Sequence, residues 1–233
     1  MSRTRDGCAI LAAVLAMLAI PPVPAANVRI GGVLPGGGIY HKNIVSLREA
    51  KFTNLITQQT DFSCGAAALA TILRHVYGRD LGEADVLTGM MRIANPEVVK
   101  EQGFSLLDIK NYVETIGLRG RGYRLTAEQL AQVKIPVIVL LDIKGYKHFV
   151  VVKKTTPEKV YIADPALGNK VMTREEFVAG WNGIVFAVIG RGFDRQSVLL
   201  NPPEPLTVRR ASLRSPVSDA ELIDFGFTRA ELF

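Results

Sequence analysis

The stretch that decides the reading is Gln58-Gln59-Thr60-Asp61-Phe62-Ser63-Cys64-Gly65-Ala66-Ala67-Ala68-Leu69-Ala70-Thr71-Ile72-Leu73-Arg74-His75-Val76-Tyr77. Leu69, Ile72, Leu73 and Val76 recur at i, i+3, i+4 and i+7, which predicts a helix from Cys64 to Tyr77. Asp61 or Ser63 can serve as its N-cap, and Gly78 as its stop. Cys64 therefore opens the helix, where the positive end of the helix dipole favours a thiolate, the reactive form of cysteine. Gly65 permits a close backbone approach by a substrate, and Ala66, Ala67 and Ala68 keep the first turn slim.

Working outward, further helices are expected at Glu83–Met91, at Leu106–Ile116 between a Ser105 cap and Gly117, and at Ala127–Val133 after the Thr126 cap. The character changes at Ile135. Ile135–Leu141, His148–Val152, Val160–Ala163 and Ile184–Ile189 are β-branched runs bounded by turn residues. One more helix, Thr173–Trp181, lies between the last two. Helices first and strands after predict an α+β chain, with N-terminal helices packed on a C-terminal antiparallel sheet.

Composition narrows the function classes. The chain has 233 residues with 48% hydrophobic and 21% charged, a globular balance that excludes a disordered protein. Two cysteines, Cys8 and Cys64, exclude a disulfide-stapled scaffold or a Cys-rich metal module. Three histidines leave little for a His-based metal site, so neither metal nor cofactor is expected. No G-x-x-x-x-G-K-[ST] phosphate loop occurs.

Residues 1–25 read as a secretory signal, with Arg3 and Arg5 ahead of the uncharged run Cys8–Ile20 and small residues at Val23-Pro24-Ala25. The competing reading is a retained signal anchor. Cleavage after Ala25 takes away two arginines and one aspartate, and brings the net charge from +6 to +5. It also removes Cys8, leaving Cys64 as a single thiol in an oxidising compartment, the periplasm. Such a thiol is either buried and inert or kept for its reactivity. Residues 26–49 are a Gly-rich lead-in, 50–190 the folded domain, and 191–233 a basic, Pro-containing tail with a short helix at 218–225. Five arginines within 191–217 suit a solvated or surface-associating segment rather than a nucleic-acid site. Membrane contact is expected only through an uncut signal or this tail.

A cysteine nucleophile needs a base. His75 lies eleven residues along the same helix, roughly 16 Å from Cys64, too far to pair. His41 in the lead-in is not excluded by geometry. His148 opens an apolar strand, a rigid mount for an imidazole, although a plain sheet histidine looks the same in sequence. Asp164 ends the next strand and reaches the same sheet edge if the two strands form a hairpin, yet a turn aspartate before Pro165 is commonplace. The Cys64 N–H and the amide of Gln58 or Gln59 are candidate oxyanion donors.

Gln58 through Ala67, His148-Phe149-Val150-Val151 and Asp164-Pro165, in that order and context, resemble the bacteriocin-processing, or double-glycine, cysteine peptidases. The resemblance covers about residues 50–190 and implies a papain-like fold. It implies Cys64 as nucleophile, His148 as general base and acid, Asp164 as the residue orienting His148, and Gln58, six positions before Cys64, in the oxyanion hole. It also implies cleavage after small, Gly-Gly-like residues in a peptide or unfolded protein. Many members of the family are domains of export ATPases, whereas this sequence shows no transporter helices or ATPase motifs. It is similar instead to the stand-alone exported type found in operons that secrete functional amyloid, with amyloid subunits and an outer-membrane exporter as the implied partners. The alternative on the same fold is a non-cleaving binding or chaperone module that guides an unfolded client to that exporter.

Overall fold

The computed structural model describes residues 27–30, 40–43, 46–143 and 145–203, and the chain divides into two units, Met1–Ser46 and Leu47–Phe233. The signal reading of 1–25 and the helix at 218–225 lie outside the described residues. In the first unit, β1 (Asn27–Ile30) and β2 (Tyr40–Asn43) pair antiparallel, Asn27 opposite Asn43. The lead-in thus holds two short strands.

The second unit begins with helices: α1 (Leu47–Lys51), α2 (Cys64–Tyr77), α3 (Glu83–Met91), α4 (Pro96–Gln102) and α5 (Leu106–Thr115). Then come β3 (Arg119–Arg124), α6 (Ala127–Leu130), β4 (Val137–Ile143), β5 (Tyr146–Thr155), β6 (Lys159–Asp164), β7 (Gly168–Thr173), α7 (Arg174–Gly180) and β8 (Trp181–Ile189). The six strands β3–β8 form one antiparallel sheet in the order β3-β8-β4-β5-β6-β7. The α+β expectation holds.

The central strands read as continuous apolar runs because both faces of the sheet are covered. Ile138, Phe149, Val151 and Ala163 face the core shared with α2, α3 and α5. Val139, Val150, Val152 and Ile162 face a second core closed by Phe177 of α7 and Leu130 of α6. On the first face α2 lies buried along most of its length, with Ala66, Ala67 and Ala68 at 0% exposure. At Gly65 a Cβ would sit 3.2 Å from the Phe149 ring. The glycine therefore admits Phe149 of β5 against the start of α2, rather than a substrate backbone as the sequence suggested.

One helix end follows expectation and two others differ. Gly78 ends α2 in the left-handed region (φ 62°), with the Arg79 N–H bonded to the Leu73 carbonyl. Ser63 stands at the N-cap position but makes no side-chain cap bond. Its hydroxyl instead donates to the Thr60 carbonyl (2.8 Å) and accepts the Thr60 N–H (3.2 Å), closing the turn before the helix. No side chain of the capping residue covers the first N–H groups of α2, and its first turn carries no acidic residue. The helix after Thr126 stops at Leu130, three residues short of Val133.

Part of the stretch read as a basic linker is packed. Leu199 and Ser197 are buried, the Asp194 N–H bonds the Val76 carbonyl, and the Ser197 hydroxyl bonds the His75 carbonyl. These bonds satisfy carbonyls in the last turn of α2. Among the described residues no helix is long and apolar enough to cross a membrane.

Candidate active site

Cys64, the first residue of α2, is buried and lines a cleft of about 680 Å³ together with His148, Phe149, Leu140, Val98 and Phe104. The Phe149 N–H donates to Cys64 Sγ at 3.5 Å. The close approach that Gly65 allows thus places the head of β5, and with it His148, beside the sulfur.

His148 and Asp164 share one side of the sheet. Val151 pairs with Ala163, so period-2 alternation puts the side chains of 148 and 164 on the same face, in diagonal positions. His148 Nε2 and Asp164 Oδ2 are 3.1 Å apart, and the side chains are 2% and 0% exposed. Lys170 Nζ donates to the same Oδ2 at 2.8 Å, while Asp164 Oδ1 accepts the N–H groups of Ala166 (3.0 Å) and Leu167 (2.9 Å). Asp164 thus also closes the turn that its place before proline suggested.

Burial pushes the Asp164 carboxyl up, but hydrogen bonds from His148 and Lys170, the His148 charge and the Leu167 N–H outweigh it and hold the group at about 2. Burial likewise pulls His148 down. Hydrogen bonding to Asp164 and Cys64, and their charges, outweigh that and raise the imidazole to about 9. His148 therefore keeps its proton at neutral pH, with Nε2 committed to Asp164. Nδ1 is buried and, with Nε2 on Asp164, is the nitrogen left for the sulfur side.

Gln58 is held by its backbone, whose N–H bonds the Pro165 carbonyl at 3.1 Å, tying the loop before α2 to the turn after Asp164. Its side-chain Nε2 gives one hydrogen to the Thr60 carbonyl (3.2 Å), and its amide also hydrogen-bonds the Tyr146 oxygen. Its Oε1 is buried and has no hydrogen-bond partner among the described residues. Gln59 is exposed. Its amide turns back to the Thr57 hydroxyl, and its N–H bonds the buried Glu83 carboxylate at 2.8 Å. The structure therefore separates the two glutamines that the sequence left open. His75 is half-buried near the far end of α2, and the side chain of His41 lies outside the described residues.

Two residues were not found by sequence reasoning. Lys170 is one. The other is Tyr146, whose ring centroid lies 5.5 Å from that of His148. Burial, then the charges of Cys64, Asp61 and Asp164, keep its phenol protonated, while Gln58 hydrogen-bonds its oxygen. Position 146 shares the parity of 148 on β5, the one signal that pointed to it.

Residues 53–191 match the family model described as the Peptidase C39 family. The chain is 58% identical to the "Probable functional amyloid protease FapD" of Pseudomonas aeruginosa and 53% identical to the protein of the same name from Pseudomonas fluorescens. Each match covers 86% of this chain and 89% of the relative. Among solved structures it is similar to a double glycine motif protease from an AMS/PCAT transporter in complex with the leader peptide. That likeness has a TM-score of 0.50 and 29% identity, over 58% of this chain and 89% of the other.

Proposed function

The chain belongs to the Peptidase C39 family and is a papain-like cysteine peptidase, and from that premise we propose that Cys64, His148, Asp164 and Gln58 are the residues that carry its chemistry. The supporting observation is the arrangement at the head of α2. His148 Nε2 is locked to Asp164 at 3.1 Å, and its Nδ1 is left for Cys64.

The steps follow from that geometry. With the thiol proton of Cys64 already resting on His148 Nδ1, the Cys64 thiolate attacks the carbonyl carbon of the scissile peptide. The carbonyl electron pair becomes an oxyanion, held by the Gln58 amide, turned from the Tyr146 oxygen, and the Cys64 N–H. When the C–N bond breaks, the leaving amine takes its proton from Nδ1 and a thioester remains. Water then gives a proton to Nδ1 and attacks the thioester, and the carboxylic acid leaves as the Cys64 thiolate is released beside the protonated imidazole. Asp164 holds the imidazole in the tautomer and orientation that both transfers need.

The substrate is a peptide or unfolded protein cut after small, Gly-Gly-like residues. Support comes from the 29%-identical double glycine motif protease bound to a leader peptide. The two relatives named as functional amyloid proteases support a role in processing that allows amyloid subunits to be secreted. The signal-like residues 1–25 support a periplasmic location.

The test is a chromosomal Cys64→Ala strain in which the termini of the exported amyloid subunits, and of any accessory protein secreted with them, are read by mass spectrometry. Wild type is expected to yield a product cut after a small-residue pair that Cys64→Ala does not yield. Identical termini in both strains overturn the reading. Together with lost secretion on deletion of the gene, they establish the non-cleaving client-guiding module instead.

A further inference from the structure

Asp164 carries more bonds than the orientation of one imidazole requires. It is fully buried, and four donors converge on it: the N–H groups of Ala166 and Leu167 on Oδ1, and His148 Nε2 and Lys170 Nζ on Oδ2. Lys170 comes from β7, where it pairs with Ile162, diagonal to Asp164 on the same side of the ladder. Its neighbour Asn169 has the opposite parity and takes a different lysine. Lys153 Nζ donates to Asn169 Oδ1 at 2.7 Å, and the Asn169 amide bonds the Thr53 carbonyl. One ammonium thus ties β5 to a neutral amide on one side of the sheet. The other is spent on the carboxylate that holds His148.

We propose that Lys170 is a positioning residue of the reaction: its ammonium fixes Asp164 Oδ2 in line with His148 Nε2 and offsets part of the carboxylate's charge there. The inference rests on the catalytic reading of Cys64, His148 and Asp164. The ionisable groups that face this carboxylate are His148 and Tyr146 from β5 and Lys170 from β7, while Cys64 from α2 acts on His148 and Tyr146. Two opposed effects act on the imidazolium, the anion that stabilises it and a cation on the same oxygen that opposes it. With Lys170 absent, Asp164 holds the proton on His148 more tightly, and that proton is released less readily to the leaving amine.

The test is a histidine-ring NMR titration of the full chain labelled with isotopic histidine. His41, His75 and His148 are its three histidines, and His148 is assigned by its loss in His148→Asn. Lys170→Met is expected to raise the His148 midpoint by about one unit, and Lys170→Arg to leave it near wild type. Asp164→Asn is expected to lower it by more than about two units. A Lys170→Met midpoint that is unmoved or lower overturns the inference while a lowered Asp164→Asn midpoint leaves the catalytic pair intact. An unmoved midpoint in Asp164→Asn overturns the catalytic reading itself. If Lys170→Met does not fold, Lys170→Gln, which keeps a donor without the charge, is expected to give the same rise, and its absence overturns the inference.

Discussion

Replacing Asp164 by Asn keeps the shape of the side chain and removes its charge. The carboxylate accepts bonds on both oxygens, two on each. Asparagine has one acceptor oxygen. If that oxygen keeps the Ala166 and Leu167 N–H groups, the amide NH2 meets Lys170 and His148 Nε2. The imidazole is then pushed into the tautomer with its proton on Nδ1, where it cannot accept from Cys64. Its affinity for a second proton falls too. The rise of His148 from 6.5 to about 9 depends on Asp164 and Cys64, and without the anion burial pulls it below 6.5. A change of about 2.5 units corresponds to on the order of 3 kcal/mol.

The sign of the stability effect follows. A histidine whose folded value lies above its unfolded one stabilises the fold fully below pH 6.5, and that stabilisation is lost as pH rises through about 9. The stability gap between wild type and Asp164→Asn is therefore large at pH 6 and smaller by about 3 kcal/mol at pH 10. Urea unfolding followed by the single tryptophan, Trp181, measures both proteins across that range. Contributions common to the two, such as the titration of Lys153, cancel in the difference. A gap that stays constant from pH 6 to pH 10 refutes the coupling.

Lys153 is buried, its hydrogen-bond partner among the described residues is the neutral Asn169 amide, and burial lowers it from 10.5 to about 8, so its charge costs the fold stability at neutral pH. Lys153→Met removes on the order of 3 kcal/mol of that cost and orphans the Asn169 acceptor, so a net gain of about 1 kcal/mol is expected below pH 8, fading as pH rises through 10.5. A loss of stability at pH 6 in urea unfolding contradicts this. Gly89 in α3 lies where a Cβ would run into the Tyr112 ring of α5. Gly89→Ala therefore destabilises by about 1–3 kcal/mol despite the better helix propensity of alanine, and a raised Tm speaks against that packing.

The sequence was most informative where local chemistry and tertiary burial agree. Glu83–Met91 and Cys64–Tyr77 came out at their observed bounds because apolar period and terminating residues coincide there. The four interior strands were visible through unbroken β-branched runs, since both faces of the sheet are covered. The two strands that escaped notice, β3 and β7, are the edges of that sheet. Arg119-Gly120-Arg121-Gly122-Tyr123-Arg124 has no strand pattern of its own. It is a strand because β8 pairs with it and the Phe186 ring fills the place of a Gly120 side chain. The helix α4 was legible in principle, with Asn95 as cap, Pro96 at its first position and Gly103 after its end. Within the proposed site, Cys64, His148, Asp164 and Gln58 were named from motif order. Lys170 could not, because its role depends on the β6–β7 register that brings it within 2.8 Å of Asp164. The part played by Gly65 was equally hidden, since it depends on which ring packs beneath it.

The central claim is that Cys64 is a nucleophile activated by His148, and alkylation at pH 6 tests it most directly. The full chain is treated with iodoacetamide, and modification of Cys64 is followed by peptide mass spectrometry, which separates it from Cys8. Cys64 is expected to react faster than a free thiol with a pKa of about 8.5 does at that pH, and His148→Ala is expected to abolish the excess. A wild-type rate no greater than that of a free thiol, unchanged by His148→Ala, would contradict the account.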